Sequence, residues 1–275
     1  MYWVRRGDGY PVLFLHGIPT SCRLWDFVIE RLLGQFTCIA VDLPGLGKSS
    51  AMPHSFRDLS GLASTLDQIR IDAGIEIWHI VGHDAGCAIA IQYANLYPGN
   101  VGCLALLSAS IFPDLRTFLL FEFLRTRVVG EVLAPLVSFL FWRVAMRMAL
   151  GSGVEVSACR RDFHAPFTGF RGAWRMIKVL RWGEPQEILA SIPSMLPFLT
   201  APALIFHGSA DPAVPPAFAA RASALIPRSE VVMIDTGHFL PLNQPELIAS
   251  HLLRFFHHHQ DARELVVTET RAVAV

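Results

Sequence analysis

Short, mostly apolar runs with β-branched residues recur along the chain at 12–15, 36–41, 75–81, 101–107, 203–206 and 230–234. Runs that are apolar at consecutive positions belong to strands covered on both faces, as in a parallel sheet. Stretches of helical periodicity near 21–33, 56–73, 87–97, 216–226 and 244–257 supply the covering helices. A short leading strand is expected at 2–5. The pattern predicts an α/β fold built on a doubly wound, mostly parallel sheet.

The alternation breaks once. From 112 to 200 there is no convincing strand run, only helix-like apolar stretches interrupted at Pro135, Gly151 to Gly153, Pro166 and Pro185. This segment reads as a helical cap inserted into the sheet domain. The chain then divides into a first core part at 1–111, the cap at 112–200, a second core part at 201–258 and a C-terminal tail at 259–275. A length of 275 residues suits one such domain with an inserted subdomain.

Lys plus Arg and Asp plus Glu balance at 23 each, which argues against nucleic acid or an anionic membrane as partner. Five cysteines, odd in number and mostly in apolar segments, are expected to be reduced core residues, with neither a disulfide framework nor a zinc site. The N-terminus lacks the apolar stretch of a secretion signal, so a cytoplasmic location is expected. The apolar run at 132–142 is too short to span a bilayer. No metal or cofactor is expected, and His257-His258-His259 reads as part of a solvated end.

The chemistry concentrates where strands end. Gly82-His83-Asp84-Ala85-Gly86 follows a strand run and precedes a small-residue helix, so it reads as a nucleophile elbow carrying aspartate instead of serine. The rival reading is an ordinary helix N-cap, a position that favours aspartate. His16-Gly17-Ile18-Pro19-Thr20 follows the first long strand and offers backbone N–H groups for an oxyanion hole completed by Ala85. Asp211 follows another strand, and His238 follows the last one. The order Asp84, Asp211, His238 is that of nucleophile, acid and histidine on such a sheet. Asp235 is the rival acid. Ser108-Ala109-Ser110, at another strand end, carries no carboxylate, which favours Asp211. His16 and His83 are expected to be structural.

With Asp42-Leu43-Pro44-Gly45-Leu46-Gly47-Lys48-Ser49 added to these motifs, residues 2–258 resemble the α/β-hydrolase fold superfamily. Within it they resemble the branch with aspartate nucleophiles: epoxide hydrolases, haloalkane dehalogenases and haloacetate dehalogenases. On this resemblance the chain starts at the second strand of the family pattern. The resemblance implies Asp84 as nucleophile, His238 as general base, Asp211 as the acid that orients it, and Ile18 and Ala85 as oxyanion donors. A carboxylate is already ionised at neutral pH, so it can displace a leaving group at an sp3 carbon and form an alkyl-enzyme ester. The histidine then activates water to hydrolyse that ester.

The sequence departs from each pattern at the leaving group. Epoxide hydrolases usually use two cap tyrosines, whereas all four tyrosines here (Tyr2, Tyr10, Tyr93, Tyr97) lie in the core. A histidine can replace a tyrosine as donor, and His164 is the cap residue of that kind; its rival reading is a buried structural histidine. Haloalkane dehalogenases usually hold the halide with a Trp after the nucleophile and an Asn or second Trp elsewhere; here those positions are Ala85 and Ile18, leaving Trp142, Trp174 and Trp182 as indole donors. Haloacetate dehalogenases carry arginines where Cys87 and Ala88 stand. Phe118 to Phe121 and Phe139 to Trp142, including Phe141, suggest a wide apolar pocket and a bulky hydrophobic substrate. An apolar cap surface is also a candidate homodimer interface or a surface that touches a membrane. Epoxide opening is favoured over carbon–halogen hydrolysis. A cofactor-free biosynthetic enzyme and a non-catalytic small-molecule-binding protein are the further alternatives.

Overall fold

The computed structural model describes residues 1–50, 58–116, 122, 124–140, 163–181 and 185–273. Among them, β1 (Trp3–Arg6), β2 (Tyr10–Leu15), β3 (Phe36–Val41), β4 (Trp78–His83), β5 (Val101–Leu107), β6 (Ala203–Gly208) and β7 (Ser229–Ile234) form one sheet. Its order is β1-β3-β2-β4-β5-β6-β7. The β1 edge is antiparallel to β3, and every other pair is parallel. This is the α/β-hydrolase fold. Strands β3, β4, β5 and β6 are buried at every position, as their predominantly apolar runs require. Strand β7 closes the far edge and turns Val231 and Met233 outward.

The principal helices are α1 (Asp26–Glu30), α2 (Leu59–Asp72), α3 (Ala85–Leu96), α4 (Val129–Leu140), α5 (Gly169–Leu180), α6 (Ala217–Leu225) and α7 (Pro245–Val273). From β2 the chain moves outward to β3, then crosses back past β2 to β4. Right-handed crossovers in opposite directions put α1 and α2 on opposite faces of the sheet. The packing agrees, because α1 lies against α7 and α2 against α3. The reversal leaves a crevice between the carboxyl ends of β2 and β4, where such sheets bind ligands.

Strand register decides what meets there. Leu15 pairs with Gly82, His83 with Leu107, Leu107 with Phe206, and Gly208 with Ile234. The ends of β2, β4, β5, β6 and β7 are therefore level. The turns that follow them, bearing Ile18, Asp84, Ser110, Asp211 and His238, emerge along one rim.

Two elements differ from the sequence expectation. Strand β4 starts at Trp78, not at 75, because Arg70 donates to the carbonyls of Ile75 and Glu76 (2.6 and 3.1 Å) and holds them out of the ladder. Helix α7 continues without a break through 259–273, the segment read as a tail. Between β5 and β6 the described secondary structure is helical, with α4 packed on α5. Cys22, Cys38, Cys87 and Cys103 are buried. Among the described residues no helix is long and apolar enough to cross a membrane.

Candidate active site

Asp84 ends β4 and opens α3 with φ 51° and ψ −121°, a left-handed conformation that costs a non-glycine residue about 1–3 kcal/mol. The surrounding backbone enforces it. The Asp84 N–H donates to the Leu107 carbonyl at 3.0 Å, and the Cys87 N–H donates to the Asp84 carbonyl at 3.0 Å. A side chain at Gly86 would stand 2.5 Å from the Leu15 carbonyl oxygen, and one at Gly82 would stand 2.9 Å from that of Gly86. The two flanking glycines of the motif are thus required by close backbone approach.

The Asp84 carboxylate does not cap α3. One oxygen, Oδ2, accepts from the Ile18 backbone N–H at 3.1 Å; the other, Oδ1, accepts from the Ser110 hydroxyl. Asp84 thus holds the N-cap position of α3 without making the capping hydrogen bond. Asp84 and Ala85 are both partly exposed, while the residues on either side of the pair are buried. The Ala85 N–H opens α3 and by position has no intrahelical acceptor.

His238 is buried and pairs through Nδ1 with Asp211 Oδ2 at 2.9 Å. The other Asp211 oxygen accepts from the N–H groups of Ala213 (2.8 Å) and Val214 (3.0 Å), which fix the carboxylate on its turn. Asp235, in contrast, is exposed and takes a hydrogen bond from Ser209. Burial alone would lower the His238 pKa, but the hydrogen bond and charge of Asp211, with the charge of Asp84, outweigh it and raise the pKa above its ordinary value. For Asp211 burial works upward, yet the hydrogen bond and charge of His238 prevail and hold its carboxyl at about 2. This pair is an oriented imidazole backed by a carboxylate anion, within electrostatic reach of a second carboxylate.

His16 and His83 are held as neutral rings. His16 Nε2 accepts from the Leu43 N–H at 2.9 Å, so its proton sits on Nδ1 and is donated to the Gly17 carbonyl at 2.8 Å. Burial pushes its pKa down to about 4. His83 Nε2 lies 3.0 Å from the His238 carbonyl oxygen and ties the histidine loop to the elbow; burial and then the His238 charge lower its pKa to about 4. Asp42 organises the loop after β3, accepting from the N–H groups of Cys22 and Lys48, each at 2.7 Å.

The structure thus assembles Ile18, Asp84, Ala85, Asp211 and His238 at one rim. Trp174 is 37% exposed and shares the outer face of α5 with Phe170. His164 is partly buried at the start of the short turn Ala165–Phe167. Trp142, Phe141 and Trp182, and the runs at 117–121 and 141–142, lie outside the described residues. The tyrosines are engaged elsewhere: Tyr93 donates to Asp67, Tyr97 to Ser64, Tyr2 accepts from Lys48, and Tyr10 stacks on His79.

Two residues at this rim escape sequence reasoning. Ser110 shows there only as a missing carboxylate, although its position three residues beyond β5 hints at the site once the register is known. Arg175 on α5 donates to the carbonyls of Gly45 (2.8 Å), Gly47 (3.0 Å) and Ser49 (3.4 Å), joining the helical segment to the loop after β3. No sequence signal marks it.

With this strand order, the elbow and the histidine on its turn, the chain belongs to the α/β-hydrolase fold family, whose pattern it matches over residues 10–245. Among its relatives, a soluble epoxide hydrolase from Corynebacterium sp. (strain C12) is 38% identical over 94 residues, 34% of this chain and 32% of that protein. A fluoroacetate dehalogenase from Burkholderia sp is 33% identical over 120 residues, 42% of this chain and 38% of that protein. These matches span about a third of the curated relatives' length. Haloalkane dehalogenase DbeA from Bradyrhizobium elkani USDA94 shares the fold over 94% of both chains, with a TM-score of 0.81 and 26% identity.

Proposed function

We propose that this chain is a hydrolase that attacks an electrophilic sp3 carbon of a bulky apolar small molecule through Asp84, with epoxides the favoured substrates. The observation that carries the reading is the elbow carboxylate itself. It is turned away from the helix it opens, and it has one oxygen on the Ile18 N–H and the other facing Ser110. Asp84 Oδ1 displaces the leaving group and forms an alkyl ester. His238 then takes a proton from water, whose oxygen adds to the ester carbonyl, while Asp211 stabilises the imidazolium. The N–H groups of Ile18 and Ala85 hold the oxyanion of that second step. Residues 112–200 act as the cap that encloses the substrate, with His164 the candidate donor to the opened epoxide oxygen.

Carbon–halogen hydrolysis is the second reading, and the likeness to DbeA supports it. Ala85 and Ile18 weaken it, since neither side chain can donate to a halide. Cys87 and Ala88 likewise offer no cation for a small acid, so the fluoroacetate dehalogenase likeness does not extend to a charged substrate.

The test is a His238→Gln variant incubated separately with styrene oxide, 1,2-epoxyhexane and 1-bromohexane, followed by intact mass and peptide mapping. A stable adduct on Asp84 is expected, because the ester forms and its hydrolysis is blocked. Labelling by an epoxide but not the bromide selects the first reading, and the reverse selects the second. No adduct on Asp84 with any of the three overturns both.

A further inference from the structure

We infer that Ser110 is a catalytic hydrogen-bond donor for the second half-reaction, assisting departure of the product alcohol; this rests on the reading of Asp84 as the nucleophile. The two oxygens of Asp84 have different partners. Oδ2 takes the Ile18 N–H at 3.1 Å, and Oδ1 takes the Ser110 hydroxyl. The oxygen outside the oxyanion hole is the one free to attack, so Oδ1 becomes the ester oxygen bonded to the substrate carbon.

In the hydrolytic step the water oxygen bonds to Cγ, and His238 takes a water proton. The Cγ–Oδ2 double bond opens to an oxyanion facing Ile18 and Ala85. When the oxyanion collapses, the Cγ–Oδ1 bond breaks and its electron pair goes to Oδ1. The alcohol leaves with Oδ1, protonated by the His238 imidazolium, and the new carboxyl of Asp84 ionises. Negative charge therefore develops on the same atom to which Ser110 already donates. A donor placed there before the reaction strengthens as charge builds, at little reorganisation cost.

Ser110 is held for this task. It is 6% exposed, so its hydroxyl must find an acceptor inside the protein, and the register of β4 on β5 brings the turn after Leu107 beside the elbow. The same contact has an opposite effect on the first step, because a donor on Oδ1 damps a nucleophilic carboxylate. Ser110 thus trades some speed in alkylation for speed in hydrolysis.

The partition between steps tests the idea. Wild type and Ser110→Ala are mixed with whichever of styrene oxide, 1,2-epoxyhexane or 1-bromohexane labels His238→Gln, acid-quenched at intervals and read by intact mass. Ser110→Ala is expected to accumulate the Asp84 ester, with hydrolysis slowed roughly ten- to hundredfold and alkylation as fast as in wild type or faster. Ser110→Thr and Ser110→Val are of equal shape and differ in the hydroxyl; Thr is expected to clear the ester and Val to retain it, which separates donation from packing. Equal slowing of both steps, no accumulation in Ser110→Ala, equal behaviour of Thr and Val, or an adduct on Ser110 itself would each overturn the proposal. If none of styrene oxide, 1,2-epoxyhexane and 1-bromohexane labels Asp84 in His238→Gln, the underlying reading falls and takes this one with it.

Discussion

Gly17 is the sharpest probe of the Asp84 geometry. A methyl group built on it would lie 2.5 Å from both Cβ and Oδ2 of Asp84, where ordinary van der Waals contact begins near 3.4 Å. The difference of about 0.9 Å cannot be recovered by rotating the carboxylate, because Cβ of Asp84 overlaps as well as Oδ2, so the oxyanion turn and Asp84 must move apart. Gly17 is absent from the positive-φ residues, so Gly17→Ala carries no left-handed backbone penalty and its effect comes from this overlap. A displacement near 1 Å at a reacting group costs roughly hundredfold in rate. Overpacking of this kind costs about 1–3 kcal/mol of stability, a fall in Tm of roughly 2–12 °C for a chain of this size. The assay is turnover of whichever of styrene oxide, 1,2-epoxyhexane or 1-bromohexane the wild type hydrolyses, beside thermal unfolding by circular dichroism. Folded Gly17→Ala with kcat/KM within threefold of wild type would refute the argument that the Ile18 to Asp84 contact sets the reactive geometry.

The other predictions concern protonation. His16 and His83 have folded pKa values of about 4 against an ordinary 6.5, so between these limits the unfolded chain binds more protons. Stability is therefore fully present above pH 6.5 and falls on acidification toward pH 4, by roughly 3 kcal/mol for each ring. Asp211, held at about 2, loses its own contribution only below pH 4, and His238, with a raised pKa, contributes a constant amount below 6.5. Urea unfolding at pH 7 and pH 5 is expected to differ by several kcal/mol, and a difference under about 1 kcal/mol would show that the rings are not held neutral. Asp211→Asn removes the largest upward influence on His238. The pH midpoint of the hydrolytic step should move down while its maximal rate falls by about 10³–10⁴, and an unmoved midpoint would rule out Asp211 as the partner of the working imidazole.

Much of this architecture is legible residue by residue. The predominantly apolar runs at 36–41 and 101–107 are strands buried on both faces, and the chain positions of Asp84, Asp211 and His238 immediately after such runs follow from local pattern alone. The start of β4 is not legible, because Ile75 and Ile77 have strand character, whereas side-chain bonds from Arg70 and Asn100 occupy the carbonyls of Ile75 and Glu76. Ser110 is invisible for a related reason. A serine beyond a strand has no local signature, and its meaning comes from a register that pairs His83 with Leu107. Arg175 lies well over a hundred residues from the carbonyls it binds, and no periodicity spans that distance.

The sequence by itself determines the fold and the chemical types at the strand ends, since hydrophobic period and turn residues are local properties. Tertiary structure decides which group faces which. It turns the Asp84 side chain away from its own helix toward Ile18 and Ser110, selects Asp211 over Asp235 for His238, and leaves Trp174 on an outer face. These are contacts between residues 26 to 66 positions apart, set by strand order and register, which no local pattern encodes.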